Sequence, residues 1–349
     1  MLLVAPGSSN EQNVSQIDSS EFTLSTDAVI DFEESMYDVA FTPDGKHIAT
    51  IRRHYSPEAF DLTLWSIEQR RKIERRSMPG KYDRAYFSYD GGTLALHTEC
   101  EQQQQIVLFK TKNLRRAIRT VPVTDWPCSM RPDGQFVALT GDIGPGYDIR
   151  LISTERNVGD HALNLEEGIK KRPDGVLFSP TGWYFSAWYR HHRGTTHIWN
   201  LATQKHRQVP YYYPVFSHDS RMLSTTDIGG PQPQVHIWNA ENGEELGSIS
   251  VVGHWQDDYN LQVLAFGPKN NRLVTCFNHK TRDVVDGLVV AQYAEPVFAG
   301  SVIQAWDISS GRKIHERKLD DEYVLAANFK NDKCLVATRQ ALYKFDFEK

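Results

Sequence analysis

Apolar and polar residues alternate with period two through most of the chain, in short runs rich in valine, isoleucine, threonine and aromatic residues. Such runs are the mark of half-buried β-strands, and no stretch carries the spacing of a long helix. The runs also recur as phrases. "IQAWDISSGRKI" from Ile303 is anticipated by "TLWSIEQRRKI" from Thr63, "THIWNLATQKH" from Thr196 and "VHIWNAENGEEL" from Val235. Taking the bulky residue of each phrase as an anchor gives Trp65, Phe109, Ile152, Trp199, Trp238, Trp306 and Phe345. The gaps between them are 44, 43, 47, 39, 68 and 39 residues, so only the sixth unit is inflated.

A second anchor precedes the first, in "VAFTPDGKHIAT", "AYFSYDGGTLAL", "CSMRPDGQFVAL", "VLFSPTGWYFSA", "PVFSHDSRMLS", "LAFGPKNNRLVT" and "ANFKNDKCLVAT". Each is a strand, a tight turn and a strand. Pro-Asp-Gly suits the turn because proline presets φ, aspartate bonds its own backbone and glycine accepts a positive φ. Each unit therefore reads as four strands, with a variable loop between the second and third.

Units of this length, with Trp306-Asp307 and the near variants Trp199-Asn200, Trp238-Asn239 and Trp65-Ser66 on the third strand, resemble WD repeats and the wider group of YVTN-like and quinoprotein-like propellers. The Gly-His pair that opens many WD repeats occurs only at Gly253-His254, which puts the family's hydrogen-bond tetrad in doubt for most units. The resemblance implies an all-β, seven-bladed β-propeller. Its blades are expected at about 36–78, 81–121, 126–165, 173–209, 212–250, 260–319 and 322–349. The last supplies only three strands, so the segment 21–32 is expected to pair with residues 341–347 as its outermost strand and close the ring, sparing an open edge. Residues 1–20, polar after "MLLVAP", read as a disordered leader without the features of a signal peptide.

In such a ring the anchors wedge between blades, and the loops joining second to third strands share a face with the inter-blade connections. Loops of varied length on a rigid scaffold are where function usually sits. This face carries Arg52, Arg53, His54, Tyr55, Trp126, Tyr147, Arg190, His191, Tyr211, Tyr212, Tyr213, Trp255 and Tyr259. Arginine, tyrosine and tryptophan dominate interface hot spots, so these residues are the candidate contacts for a protein or peptide partner. The insertion at about 278–301 is apolar enough for an extended hairpin, serving as a cap or a partner-contact arm.

Charge and composition narrow the remaining classes. A net charge of -5 argues against general nucleic-acid or anionic-lipid binding. The basic runs "EQRRKIERR" and "KTKNLRRAIR" read as charged edge strands that deter aggregation. Mean hydropathy is below zero, which argues against a membrane protein. Cys100, Cys128, Cys276 and Cys334 are scattered without metal spacing and read as free thiols of a cytoplasmic, monomeric protein. No nucleophile elbow, phosphate-binding loop or repeated Asp box occurs, so neither catalysis nor a cofactor is expected. The alternative reading is a metal-dependent enzyme or metal-binding propeller. In it Asp38, Asp83, Asp125 and Asp174, each near the start of an innermost strand, ring the channel around a hard cation such as calcium.

Overall fold

The structure, a computed structural model, describes residues 28–123, 128–142, 147–155, 159, 161–163, 173–190, 194–228, 233–251, 259–281, 284–285, 288–289, 297–320 and 322–346. Seven four-stranded antiparallel sheets form a seven-bladed β-propeller, and no helix occurs among the described residues. From the channel outward, blade 1 consists of Asp38–Phe41, His47–Tyr55, Glu58–Ser66 and Arg71–Pro79. Blade 2 follows with Lys81–Phe87, Thr93–Cys100, Gln103–Lys110 and Arg119–Pro122. Blade 3 has Cys128–Met130, Phe136–Asp142, Tyr147–Ser153 and His161–Leu163. Blade 4 has Gly175–Phe178, Tyr184–Tyr189, Thr195–Asn200 and His206–Pro210. Blade 5 has Tyr212–Phe216, Met222–Asp227, Gln234–Asn239 and Glu245–Ser250. Blade 6 has Tyr259–Phe266, Arg272–Thr281, Val297–Asp307 and Lys313–Asp320. Blade 7 uses Val324–Lys330, Lys333–Thr338, Ala341–Asp346 and, outermost, the N-terminal Ile30–Asp31.

That last pairing is the expected closure. Ile30 sits opposite Leu342 and Asp31 opposite Ala341, and the amides of Val29 and Phe32 donate to the carbonyls of Leu342 and Gln340, each at 2.7 Å. The described pairing covers the end of the 21–32 segment; residues 1–27, the expected leader included, lie outside the described residues. From blade 7 the chain crosses to blade 1, where Phe32 packs against Trp65 with ring centroids 5.6 Å apart and Glu33 meets Lys72 at 2.8 Å.

Each bottom turn holds a residue of positive φ. Gly45, Gly91, Gly134, Gly182, Ser220 and Asn270 stand at the equivalent position of the longer turns, and Asn331 opens the two-residue turn between Lys330 and Lys333 in blade 7. Glycine and asparagine tolerate that left-handed conformation best, which explains every choice but Ser220. In several turns a buried hydroxyl adds the closure. Thr42, Ser88 and Ser217 each donate to the aspartate two residues on and accept the amide of the residue five on, at 2.9–3.0 Å.

The apolar core is divided among the seams. Seven clusters of buried residues each draw on two neighbouring blades, running from blades 1 and 2 around to blades 7 and 1. All seven anchors are buried in them, between 0% and 6% exposed. Burying each such side chain contributes about 2–3 kcal/mol. Three tryptophan anchors also donate to a threonine. The indole N–H of Trp65 donates to Thr50, that of Trp238 to Thr225 and that of Trp306 to Thr275, at 2.8–2.9 Å. The threonine lies two residues beyond the anchor's cross-strand partner. Leu96, Leu139 and Val336 hold that place where the anchor is Phe109, Ile152 or Phe345. The Trp-to-hydroxyl half of the tetrad is thus present in blades 1, 5 and 6; Gly253-His254 falls outside the described residues. Thr225→Val is expected to orphan the Trp238 N–H and cost about 1–3 kcal/mol in urea unfolding, more than Trp238→Phe loses in hydrogen bonding alone.

The lower mouth of the channel is bridged. The hydroxyl of Tyr89, in the bottom turn of blade 2, lies 2.8 Å from His218 Nδ1, in the bottom turn of blade 5, and His218 Nε2 lies 3.1 Å from the Phe266 carbonyl. Nε2–H therefore donates to the carbonyl and Nδ1 accepts from the phenol, which assigns the neutral tautomer. Above the bridge, inner-strand residues of blades 2 to 5 line a largely apolar cavity of about 250 Å³. Burial lowers the His218 pKa below 6.5, against the opposing pull of the Phe266 carbonyl and Asp219. The unfolded chain then binds this proton more tightly than the fold does, so stability is full above about pH 6.5 and falls as pH drops below it. The thermal midpoint should decline between pH 7 and pH 5, and less steeply in His218→Gln; equal slopes would remove His218 from the acid response.

Candidate functional site

On the loop-rich face, two seams gather the arginine and tyrosine side chains expected there. The first is a cleft of about 310 Å³ between blades 1 and 2. Its blade 1 wall is the end of the second strand and the start of the third, with Arg53, His54, Tyr55, Glu58 and Ala59. Blade 2 contributes Gly80, Lys81, Tyr82, Asp83, His97, Thr98, Glu99 and Gln104. Gly80 makes the approach possible: its φ is +90°, and a Cβ there would stand 2.2 Å from the Glu99 carbonyl oxygen.

Most of the charge around this cleft is held in place. The Arg53 guanidinium lies 3.3 Å from the Tyr37 ring centroid and donates to the Tyr82 carbonyl. Arg52 pairs with Glu34. His54 Nε2 donates to Asp61 at 2.7 Å, and Arg75 donates to the same carboxylate oxygen at 2.6 Å. Burial alone would raise the Asp61 pKa, but hydrogen bonds from Arg75, His54 and Ser77 outweigh it and hold the carboxyl below its usual range. Lys81 meets Glu99 at 3.4 Å. Tyr55, at the hairpin tip, is 74% exposed.

The second cluster bridges blades 4 and 5, where the chain passes through Tyr211-Tyr212-Tyr213. Tyr211 and Tyr213 take positive φ values of 68° and 57°, a conformation costly for side chains of this size, and the strand is irregular from Tyr212 to Val215. The three rings consequently diverge. Tyr211 turns inward and stacks on His236 with centroids 4.5 Å apart, and His236 in turn stacks on Trp238. Tyr212 packs over Gly194, where a Cβ would meet its ring at 2.0 Å, and meets Tyr213 edge-on at 4.9 Å. Tyr213 is exposed beside Arg190. Asp174 holds Arg190 through its backbone amide at 2.7 Å and its Nε at 3.1 Å. Hydrogen bonding to Asp174 and the neighbouring Tyr213 raise the Arg190 pKa further. Of the three tyrosines, Tyr211 is a packing residue of the seam and Tyr213 the one most open to solvent.

Tyr147 and Tyr259 begin strands of blades 3 and 6, whereas Trp126, His191 and Trp255 lie outside the described residues. The inflated unit 6 extends its second and third strands as a long hairpin, with a further antiparallel pair formed by Val284–Val285 and Leu288–Val289. The described carboxylates considered for a cation are engaged by side chains of the fold, and Asp38 and Asp83 both act on Arg84. Asp38 accepts from the Tyr82 hydroxyl at 2.6 Å and from the Val39 amide at 2.8 Å, and burial raises its pKa in spite of both. Asp83 faces His97 and Arg84, and Asp174 is engaged with Arg190. Asp125 lies outside the described residues. Among the described residues, no three His, Cys, Asp or Glu side chains come together as a metal would require.

The basic outer strands are occupied structurally. Arg76 donates to the Leu114 and Arg115 carbonyls of blade 2, Arg115 meets Glu74, and Arg119 reaches the Ser153 carbonyl of blade 3. The positions that sequence reasoning passed over are Thr98 and Gln104, which flank the "TECEQQQQ" loop. The loop was legible as part of this face; that its two ends turn into a cleft with blade 1 was not.

The chain matches no protein-family model and no curated protein. No helix among the described residues is long and apolar enough to cross a membrane. Among solved structures it is similar to the Myceliophteria thermophila Cps50 (Swd1) beta-propeller domain, with a TM-score of 0.61 at 10% identity over 92% of this chain and 99% of that one. It is also similar to Kuenenia stuttgartiensis Hydrazine Synthase, with a TM-score of 0.60 at 13% identity over 95% of this chain and 100% of that one. At such identities the likeness is one of fold, and the fold is a β-propeller.

Proposed function

We propose that this propeller is a non-catalytic scaffold that binds a protein or peptide partner on its loop-rich face. The observation that carries the reading is the pair of inter-blade clusters on that face. Each holds an arginine in a fixed pose, Arg53 over Tyr37 and Arg190 on Asp174, beside an exposed tyrosine, Tyr55 or Tyr213. Such side chains desolvate large areas at small entropic cost, and holding them in place before contact lowers the cost of binding. The unit 6 hairpin extends as a further contact arm. The described free cysteines, Cys100, Cys276 and Cys334, suit a reducing compartment, and burial pushes the thiols of Cys276 and Cys334 up and out of reactivity. We place the protein in the cytoplasm, as a monomer.

The test is affinity capture from the native host with the wild-type chain and with a Tyr55→Ala, Arg190→Ala, Tyr213→Ala variant. Loss of a reproducibly captured partner, with the thermal midpoint held, supports this reading, and hot-spot truncation should weaken it by roughly 30-fold or more. Capture identical in both would refute it.

A further inference from the structure

The cleft between blades 1 and 2 contains hydrogen-bonding groups that the fold leaves unused. Thr98 is 1% exposed, yet among the described residues its Oγ1 has no hydrogen-bond partner, and the Gln104 Oε1 and Asp83 Oδ2 atoms are buried in the same condition. The nitrogens facing Asp83 Oδ2 are His97 Nδ1 at 3.6 Å and Arg84 Nε at 3.9 Å, both beyond hydrogen-bond length. Glu58 adds a carboxylate to the lining. The cations of the cleft do not answer these acceptors, since Lys81 closes on Glu99 and Arg53 is occupied by the Tyr82 carbonyl and the Tyr37 ring. Buried polar groups without partners destabilise a fold, and a volume of this size leaves room for a ligand that satisfies them.

We propose that the cleft receives the guanidinium of an arginine side chain carried by an extended segment of the partner. This rests on the scaffold reading above and names the chemistry that one of its two clusters would recognise. Acceptors from Asp83, Thr98 and Gln104 approach from different strands, and a guanidinium offers five N–H donors in a planar fork to meet them. The exposed Tyr55 ring at the rim supplies a face on which that plane can stack. The lining holds a donor as well. Arg53 Nε is buried without an acceptor among the described residues. A free amine or polyamine has nothing to offer it, whereas a peptide brings backbone carbonyls, and this decides for a peptide over a free cation.

The full chain would be titrated at low salt with the probe acetyl-Gly-Ser-Arg-Ser-Gly-amide, its citrulline counterpart, and agmatine, followed by ligand-observed NMR. The arginine peptide should bind at least tenfold more tightly than either of the others. Asp83→Asn and Gln104→Leu should each weaken it by about tenfold, with thermal midpoints confirming that both variants fold. Equal binding of arginine and citrulline peptides, no binding of either up to about 10 mM, or indifference to both substitutions would overturn the proposal. Agmatine binding as tightly as the peptide would overturn its peptide part. If the probe fails while partner capture still depends on Tyr55, Arg190 and Tyr213, the scaffold reading stands and the arginine cleft falls.

Discussion

Deleting residues 1–34 is expected to lower the thermal midpoint by roughly 10 °C or more. The truncation removes the Ile30 and Asp31 pairing, the Val29 and Phe32 amide bonds, and the burial of Ile30 and Phe32, which are 4% and 5% exposed. Two large apolar side chains removed from water contribute about 5 kcal/mol, a sizeable part of a total that is typically 5–15 kcal/mol. At roughly 2–4 °C per kcal/mol, the shift follows. The geometry makes the damage worse than these interactions added together, because blade 7 would then end on an unpaired edge, Ala341–Asp346, and open the seam to blade 1. Phe32→Ala, which leaves the pairing intact and removes the packing on Trp65, should cost about 3–5 kcal/mol. A truncated chain that melts with the full one would mean that the ring holds itself shut without its latch.

The second large effect is expected at Trp199. It is among the largest fully buried side chains, 1% exposed, and it lies among Phe185, His197 and His206 with ring centroids 5.0–6.3 Å away. Blade 4 differs from blades 1, 5 and 6 in having Ala187 where they have the threonine that accepts the indole N–H. Its tryptophan stacks on His197 and His206, which share a hydrogen bond at 2.9 Å. Trp199→Ala should therefore cost about 3–5 kcal/mol, seen as a lower urea midpoint at an unchanged slope. A cost below about 1 kcal/mol would show that blades 3, 4 and 5 close over the gap, and that the anchor is no wedge.

The same seam logic governs the loop-rich face. Adjacent blades meet most closely where their inner strands enter, so that polar residues at strand ends are pressed together in pairs of blades. Where the pairing is complete, as at Asp61 with His54 and Arg75, the result is a rigid wall. At Thr98 and Gln104 it is incomplete, and the seam keeps acceptors that the described residues leave unanswered. Strained backbone at Tyr211 and Tyr213 belongs to the same pattern, since a conformation unfavourable for tyrosine persists only where its surroundings hold it.

Read alone, the order of residues determined the number of blades, the four-strand plan of each, the turns and the closing strand. All of these depend on local rules: the two-residue pleat, the φ preferences of glycine and asparagine, and the need to cover an apolar face or an open edge. The anchors could be counted because each blade needs one wedge, whatever its neighbours are. Only the tertiary structure decided which members of the rim act together. Arg53 and Gln104 are distant in the chain and line one cleft through the packing of blade 1 on blade 2, while Tyr211, alike in type to Tyr213, stacks on His236 from a backbone of positive φ. Asp38, Asp83 and Asp174 lie near the starts of inner strands but differ in their direct contacts, with Tyr82, with His97 and with Arg190 respectively. A repeat specifies its own sheet, but the fit between sheets depends on twist and side-chain volume from both sides, and no single unit of the sequence contains that information.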